Sequence, residues 1–81
     1  MDTDQILTEI NQIFIDILEN NDIKLTRETT AGDVEEWDSL NHIQLVVAIE
    51  KHFKIKFTTA EINRWKNTGD MCDSILAKQT A

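Results

Sequence analysis

From Ile6 to Leu18 the apolar residues return at intervals of three and four. Ile6, Ile10, Ile13 and Ile17 form the spine, with Leu7, Phe14 and Leu18 beside them. That is one apolar stripe on a 3.6-residue period, so this segment is a helix with one face in a core. Ile15 falls off the stripe. Asp2 or Thr3 can cap the start, and Asn20 and Asn21 end the pattern, because asparagine favours turns and left-handed caps. The chain has no proline and only two glycines. Such a sequence suits helices joined by polar loops better than a sheet with tight turns.

Beyond Asn21 the periodicity lapses until residue 37. Ile23 and Leu25 are expected to tack this long segment onto the core, and Thr29, Thr30, Gly32 and Asp33 are loop formers. A connection this long in an 81-residue chain is unusual and points to function. Asp38 then caps a second helix that opens Asp38-Ser39-Leu40 and runs to about Phe53. Ile55 and Phe57 alternate with lysines as an extended connector. Thr58 and Glu61 make a capping box for a short third helix, Thr59 to Trp65. Thr68 and Asp70 start a fourth, carrying Met71, Ile75 and Leu76. The expected fold is all-α: one domain over residues 1–81, an irregular four-helix bundle of three longer helices and one short one.

The second helix is apolar on more than one side. At about 100° per residue, Leu45, Val46, Ile49 and Phe53 share a core face, while Leu40, Ile43 and Val47 form a second patch roughly 100° further round. Either neighbouring helices cover both, or the second patch meets a partner or ligand. The second alternative gains from Leu40 and Ile43 lying within one turn of Ser39.

Ser39 occupies the first helical position. Unpaired backbone N–H groups and the positive end of the helix dipole point there, so a phosphate ester on its hydroxyl would be well placed. Asp38 would repel that phosphate, so it needs its own reason: the N-cap, about 1 kcal/mol, or a contact with a modifying enzyme. His42, one turn on, raises a serine–histidine dyad, but a triad also needs an orienting group and an oxyanion hole in a shaped pocket. The expectation is a non-enzyme, with His42 at the edge of the core stripe. Trp37 reads as the residue packing ahead of the cap or as an exposed recognition residue, and Trp65 as core or core edge. His42, His52 and Cys72 have no ligand spacing, and Asp33, Glu35, Glu36 and Asp38 do not match a calcium loop, so no metal is expected. A lone cysteine forms no internal disulfide, and Cys72 reads as a small helix residue.

Formal net charge is −7. Nucleic acid and anionic membranes are poor partners for such a chain, whereas proteins with basic patches complement it. With no signal segment or long apolar run in view, a cytoplasmic monomer is expected.

Around Ser39 the sequence reads Trp37-Asp38-Ser39-Leu40-Asn41-His42-Ile43, then Leu45-Val46, Ala48-Ile49-Glu50 and Phe53. With a helix and a long loop before it and Ile55 and Phe57 after it, this resembles the acyl carrier protein family over Ile6 to about Leu76. The resemblance implies a 4'-phosphopantetheine arm on Ser39, added by a phosphopantetheinyl transferase, with Asp38 at the attachment site. It implies acyl or aminoacyl groups carried as thioesters between a loading ligase or acyltransferase and further biosynthetic enzymes. It also implies that Leu40, Ile43 and Val47 touch those partners. The competing reading is an unmodified helical interaction or regulatory module on the same fold. Carriers of central fatty acid synthesis usually have acids where this chain has Asn41 and Gln44, which points to a specialised member. Acids near a helix start suit the dipole, so Asn41→Asp and Gln44→Glu are expected to be tolerated.

Overall fold

A computed structural model describes residues 2–80. Four α-helices succeed one another: α1 Thr3–Leu18, α2 Ser39–Phe53, α3 Thr59–Asn63 and α4 Thr68–Thr80. A single 3-10 turn, Ala31–Asp33, interrupts the long connection between α1 and α2. There is no strand among the described residues. This is the all-α arrangement of three longer helices and one short one expected from the sequence.

Local signals set most of the helix starts. Asp2 accepts from the Gln5 backbone and Gln5 returns the bond, closing a capping box on α1. Thr58 and Glu61 close the same box on α3. In α4, Asn67 Oδ1 accepts from the Asp70 N–H. Each such cap satisfies donors that the helix itself leaves free. α1 and α2 end alike, on Glu19 (φ 54°) and Lys54 (φ 59°) in the left-handed region. Both carry a Cβ where glycine is the usual residue, at a cost of roughly 1 kcal/mol each. The end of α1 therefore differs from the sequence reading: the left-handed residue is Glu19, one position before the asparagines. Asn20 instead accepts from the Asp22 N–H and donates to the Glu36 carboxylate at 2.9 Å. α3 stops at Asn63, two residues short of expectation, which leaves Trp65 outside the helix.

α1 lies against both α2 and α4. Ile6, Ile10, Phe14 and Leu18 bury one stripe of it, at i, i+4 spacing. They meet Leu45, Ile49 and Phe53 of α2 and Met71, Cys72 and Ile75 of α4 in one core. Each such fully buried apolar side chain contributes about 1.5–3 kcal/mol. Ile13, Ile17 and the off-stripe Ile15 are only partly buried, packing against the core from its margin.

The long connection is fastened at three places. Ile23 and Leu25 are buried as expected. Between them Asn11 of α1 uses both ends of its amide, donating to the Ile23 carbonyl (3.2 Å) and accepting from the Leu25 N–H (2.7 Å). At the start of α4, Thr68 donates through its backbone and its hydroxyl to the Thr29 carbonyl, and Gly69 N–H donates to the Arg27 carbonyl at 2.8 Å. Arg27 then pairs with Asp73 one turn along α4, at 2.9 Å. Further along the loop, Trp37 is buried with its ring edge-on to Phe14 at 4.8 Å between centroids. The loop thus delivers Asp38 and Ser39 at the surface on a fixed base.

Candidate functional site

Asp38 stands in extended backbone and accepts from the Asn41 N–H at 2.8 Å, capping α2. Its carbonyl takes the His42 N–H, also at 2.8 Å. The N–H groups of Ser39 and Leu40 keep no partner among the described residues. They flank the exposed Ser39 side chain, whose hydroxyl also has no hydrogen bond among the described residues. A free hydroxyl beside two free amide donors at a helix N-terminus suits a phosphate ester.

Behind Ser39 the surface is aromatic. Trp37, the residue before the cap, meets His42 at the fourth helical position, which is the placement of a staple. The two rings stack at 6.0 Å and 24°, and Trp37 Nε1 donates to His42 Nδ1 at 2.9 Å. Trp37 is therefore a packing residue, not an exposed recognition residue. An indole only donates, so Nδ1 holds the lone pair and the neutral ring carries its proton on Nε2. Burial pushes the His42 pKa below its ordinary value, in keeping with that neutral form. The lone pair a general base would need is thus already engaged, and a Ser39–His42 dyad has no means of deprotonating the hydroxyl.

Trp65 closes the far side. It lies edge-on to His42 at 6.3 Å and to Phe57 at 4.9 Å, and its Nε1 donates to Ser74 Oγ at 2.9 Å. Trp37, Ser39, His42, Ile62, Trp65 and Lys66 are among the walls of an open groove of about 490 Å3.

The second apolar patch of α2 is uncovered. Leu40, Ile43 and Val47 are 68%, 63% and 43% exposed, while Leu45, Val46, Ile49 and Phe53 are buried. One helix therefore gives one face to the core and another to the outside. Gln44, on the same side, is exposed as well. Asn41 differs from the sequence reading. Its Nδ2 donates to the Glu36 carbonyl at 2.7 Å, so the side chain is half-buried and ties the end of the loop to α2. A carboxylate there would aim oxygen at oxygen, so the expected tolerance of Asn41→Asp does not hold for this geometry. Sequence reasoning could not find this bond, because it joins a common surface residue to a backbone oxygen that only the loop's path brings near.

Some of the other ionisable side chains are paired within the structure. His52 pairs with Glu9 at 2.8 Å, and Lys78 with Glu61 at 2.9 Å. Cys72 is buried in the core, which pushes its thiol pKa up to about 11. At neutral pH it is a protonated packing residue and no nucleophile. Among the described residues no three His, Cys, Asp or Glu side chains gather as metal ligands. No helix among them is long and apolar enough to cross a membrane.

Comparison with known proteins gives the class to which this helical bundle belongs. Residues 8–75 match the family model described as phosphopantetheine attachment site. The fold matches the solution NMR structure of holo acyl carrier protein from Geobacter metallireducens, with a TM-score of 0.87 and 42% identity. The match covers 91% of this chain and 85% of that one. The chain belongs to the phosphopantetheine attachment family. It is an acyl carrier protein domain, a carrier rather than an enzyme, and its cofactor is a covalently attached 4'-phosphopantetheine. The free hydroxyl, the two free amides and the groove fit that group.

Proposed function

We propose that Ser39 is the attachment residue and that the chain, acting as one domain, carries acyl or aminoacyl groups as thioesters in a specialised pathway. The observation that carries this reading is the Ser39 hydroxyl itself. It is exposed, free of internal hydrogen bonds among the described residues, and set beside two unpaired N–H groups on the wall of the groove. Asp38 shapes that site by capping α2, which holds the two free amides in helical register. A phosphopantetheinyl transferase would install the arm, and a loading ligase or acyltransferase would charge it. Leu40, Ile43 and Val47 would form the apolar part of the surface these enzymes touch, since they stand exposed among the described residues. Asn41 and Gln44, uncharged where housekeeping carriers usually have acids, favour the specialised role.

The test is incubation with a broad-specificity phosphopantetheinyl transferase and coenzyme A, and then intact-mass measurement. Wild type should gain one phosphopantetheine, and Ser39→Ala should gain none while keeping its helical circular dichroism. An unmodified wild type, or an equally modified Ser39→Ala protein, overturns the assignment. The first of these outcomes would favour an unmodified interaction module on the same fold.

A further inference from the structure

Charge is distributed unevenly on the two sides of Ser39. Residues 28–38 contain five acids, Glu28, Asp33, Glu35, Glu36 and Asp38, and no base. Residues 39–56 contain one acid, Glu50, and three lysines, Lys51, Lys54 and Lys56. In a chain of net charge −7, the far end of α2 is therefore a local positive pole. All three lysines are exposed, and none forms an ion pair among the described residues. They surround a surface hollow of about 440 Å3 whose apolar walls are Val47 and Ile55. Glu50 also borders it, but one of its carboxylate oxygens accepts from the Phe57 N–H at 2.8 Å, which anchors the connector after α2. Lys54 holds the left-handed position that ends the helix, where glycine would fit at least cost. Lys56 stands two residues further on and borders the same hollow.

Val47 belongs both to this hollow and to the exposed patch with Leu40 and Ile43. One continuous surface thus runs from Ser39 over three apolar side chains to three unpaired lysines. At 1.5 Å per residue, Lys51 lies roughly 18 Å along the helix from Ser39. We propose that this lysine end docks on an acidic surface of the enzyme that charges the carrier, about 18 Å from the opening that admits the Ser39 arm. The proposal rests on the carrier reading above. A protein partner is favoured because the lysines frame an apolar hollow continuous with the patch beside Ser39. The acids of residues 28–38 lead in the chain into Ser39 at the start of α2, and with the net charge of −7 they would disfavour a nucleic acid or an anionic bilayer laid along α2. A partner that is basic near its opening and acidic further off would bind this face in one orientation only, since the reverse orientation sets like charges together.

The experiment starts from holo protein, made as above and checked by intact mass, so that failure at Ser39 shows as a missing adduct before any docking is measured. The acyl- and aminoacyl-activating ligases encoded by the source genome are screened. The ligase that loads holo wild type with the highest kcat/KM is then used with three variants. These are Lys51→Glu/Lys54→Glu/Lys56→Glu, the matching triple arginine protein, and Lys24→Glu as a control at an exposed lysine away from α2. The triple glutamate variant should raise KM about ten-fold or more with kcat unchanged, and the effect should shrink in 0.5 M salt. The arginine protein should load like wild type, as should Lys24→Glu. Carbodiimide coupling should join Lys51, Lys54 or Lys56 to Asp or Glu side chains of the ligase. An unchanged KM in the glutamate variant, or coupling only through other lysines, overturns the proposal. So does lysine-dependent binding to phosphatidylserine vesicles when ligase KM is unaffected.

Discussion

Replacing Asn41 with aspartate tests how the arm site is held. The substitution changes one NH2 group to an oxygen, 2.7 Å from the Glu36 carbonyl. A hydrogen bond of this kind contributes about 1 kcal/mol net, and leaving its half-buried partner unsatisfied adds roughly 1–2 kcal/mol. A carboxylate in the first turn of α2 regains about 0.3–1 kcal/mol from the helix dipole. The Asp38 carboxylate, already bonded to the Asn41 N–H, works against that gain. The net cost is about 1–3 kcal/mol, or a fall in Tm of roughly 5–20 °C for a domain of this size. Gln44→Glu, exposed and without such a bond, should stay within about 0.5 kcal/mol of wild type. Thermal unfolding monitored by circular dichroism at pH 7 separates the two. The aspartate deficit should also narrow as pH falls towards about 4, because a protonated carboxyl can again donate to the Glu36 carbonyl. An Asn41→Asp protein that melts within about 1 °C of wild type would refute the reasoning, and the loop would then be held by its other fastenings alone.

The geometry sets three further outcomes. His42 has its pKa depressed by burial below 6.5, so the unfolded chain takes up a proton first. Its stability contribution is full above about pH 6.5 and is lost as pH falls through the folded value. Tm measured from pH 8 to pH 5 should therefore decline more in wild type than in His42→Gln, which retains an acceptor for Trp37; parallel curves would contradict this. Gly69→Ala would set a Cβ 2.9 Å from the Arg27 carbonyl oxygen, backbone that cannot swing aside, and should cost about 1–3 kcal/mol by chemical denaturation. An unchanged midpoint would mean the clamp between loop and α4 yields freely. Leu40→Ala, Ile43→Ala and Val47→Ala should each shift stability by under about 1 kcal/mol while slowing loading by a partner enzyme, since the three side chains are exposed. A large melting shift with unchanged kinetics would assign the patch to the fold.

The parts of this structure legible in the sequence are those governed by short-range rules. Asp38 before Ser39, Thr58 with Glu61, and the apolar face of α1 each need only a few neighbouring residues to state their role, although that face centres on Phe14 and Leu18 and leaves the expected Ile13 and Ile17 at its margin. The exposed patch was legible too, because too wide an apolar arc on α2 shows on a helical wheel before any partner helix is known. Bonds between distant segments stayed hidden. Asn11 clipping Ile23 and Leu25, Arg27 reaching Asp73, and Trp37 donating to His42 depend on the path of the loop, which has no period to read. Asn20 and Asn21 misled by one residue because a preference for left-handed backbone says which residue suits a cap, not where the core releases the helix. The 3-10 turn at Ala31–Asp33 escaped notice for a related reason: Thr30 and Asp33 bond each other across a span too short to show periodicity.

The chain contains two tryptophans and no tyrosine. Both indoles wall the groove at Ser39, one bonded to a titratable ring and the other to a serine hydroxyl. Ultraviolet emission from the native protein therefore originates at that groove, with no tyrosine background to subtract. Trp37 emits against a neutral imidazole in its native pairing and against a quenching imidazolium once His42 is protonated. Trp65 responds to whatever replaces water along the groove. An arm or cargo that enters this groove would accordingly change the tryptophan emission of the unlabelled protein.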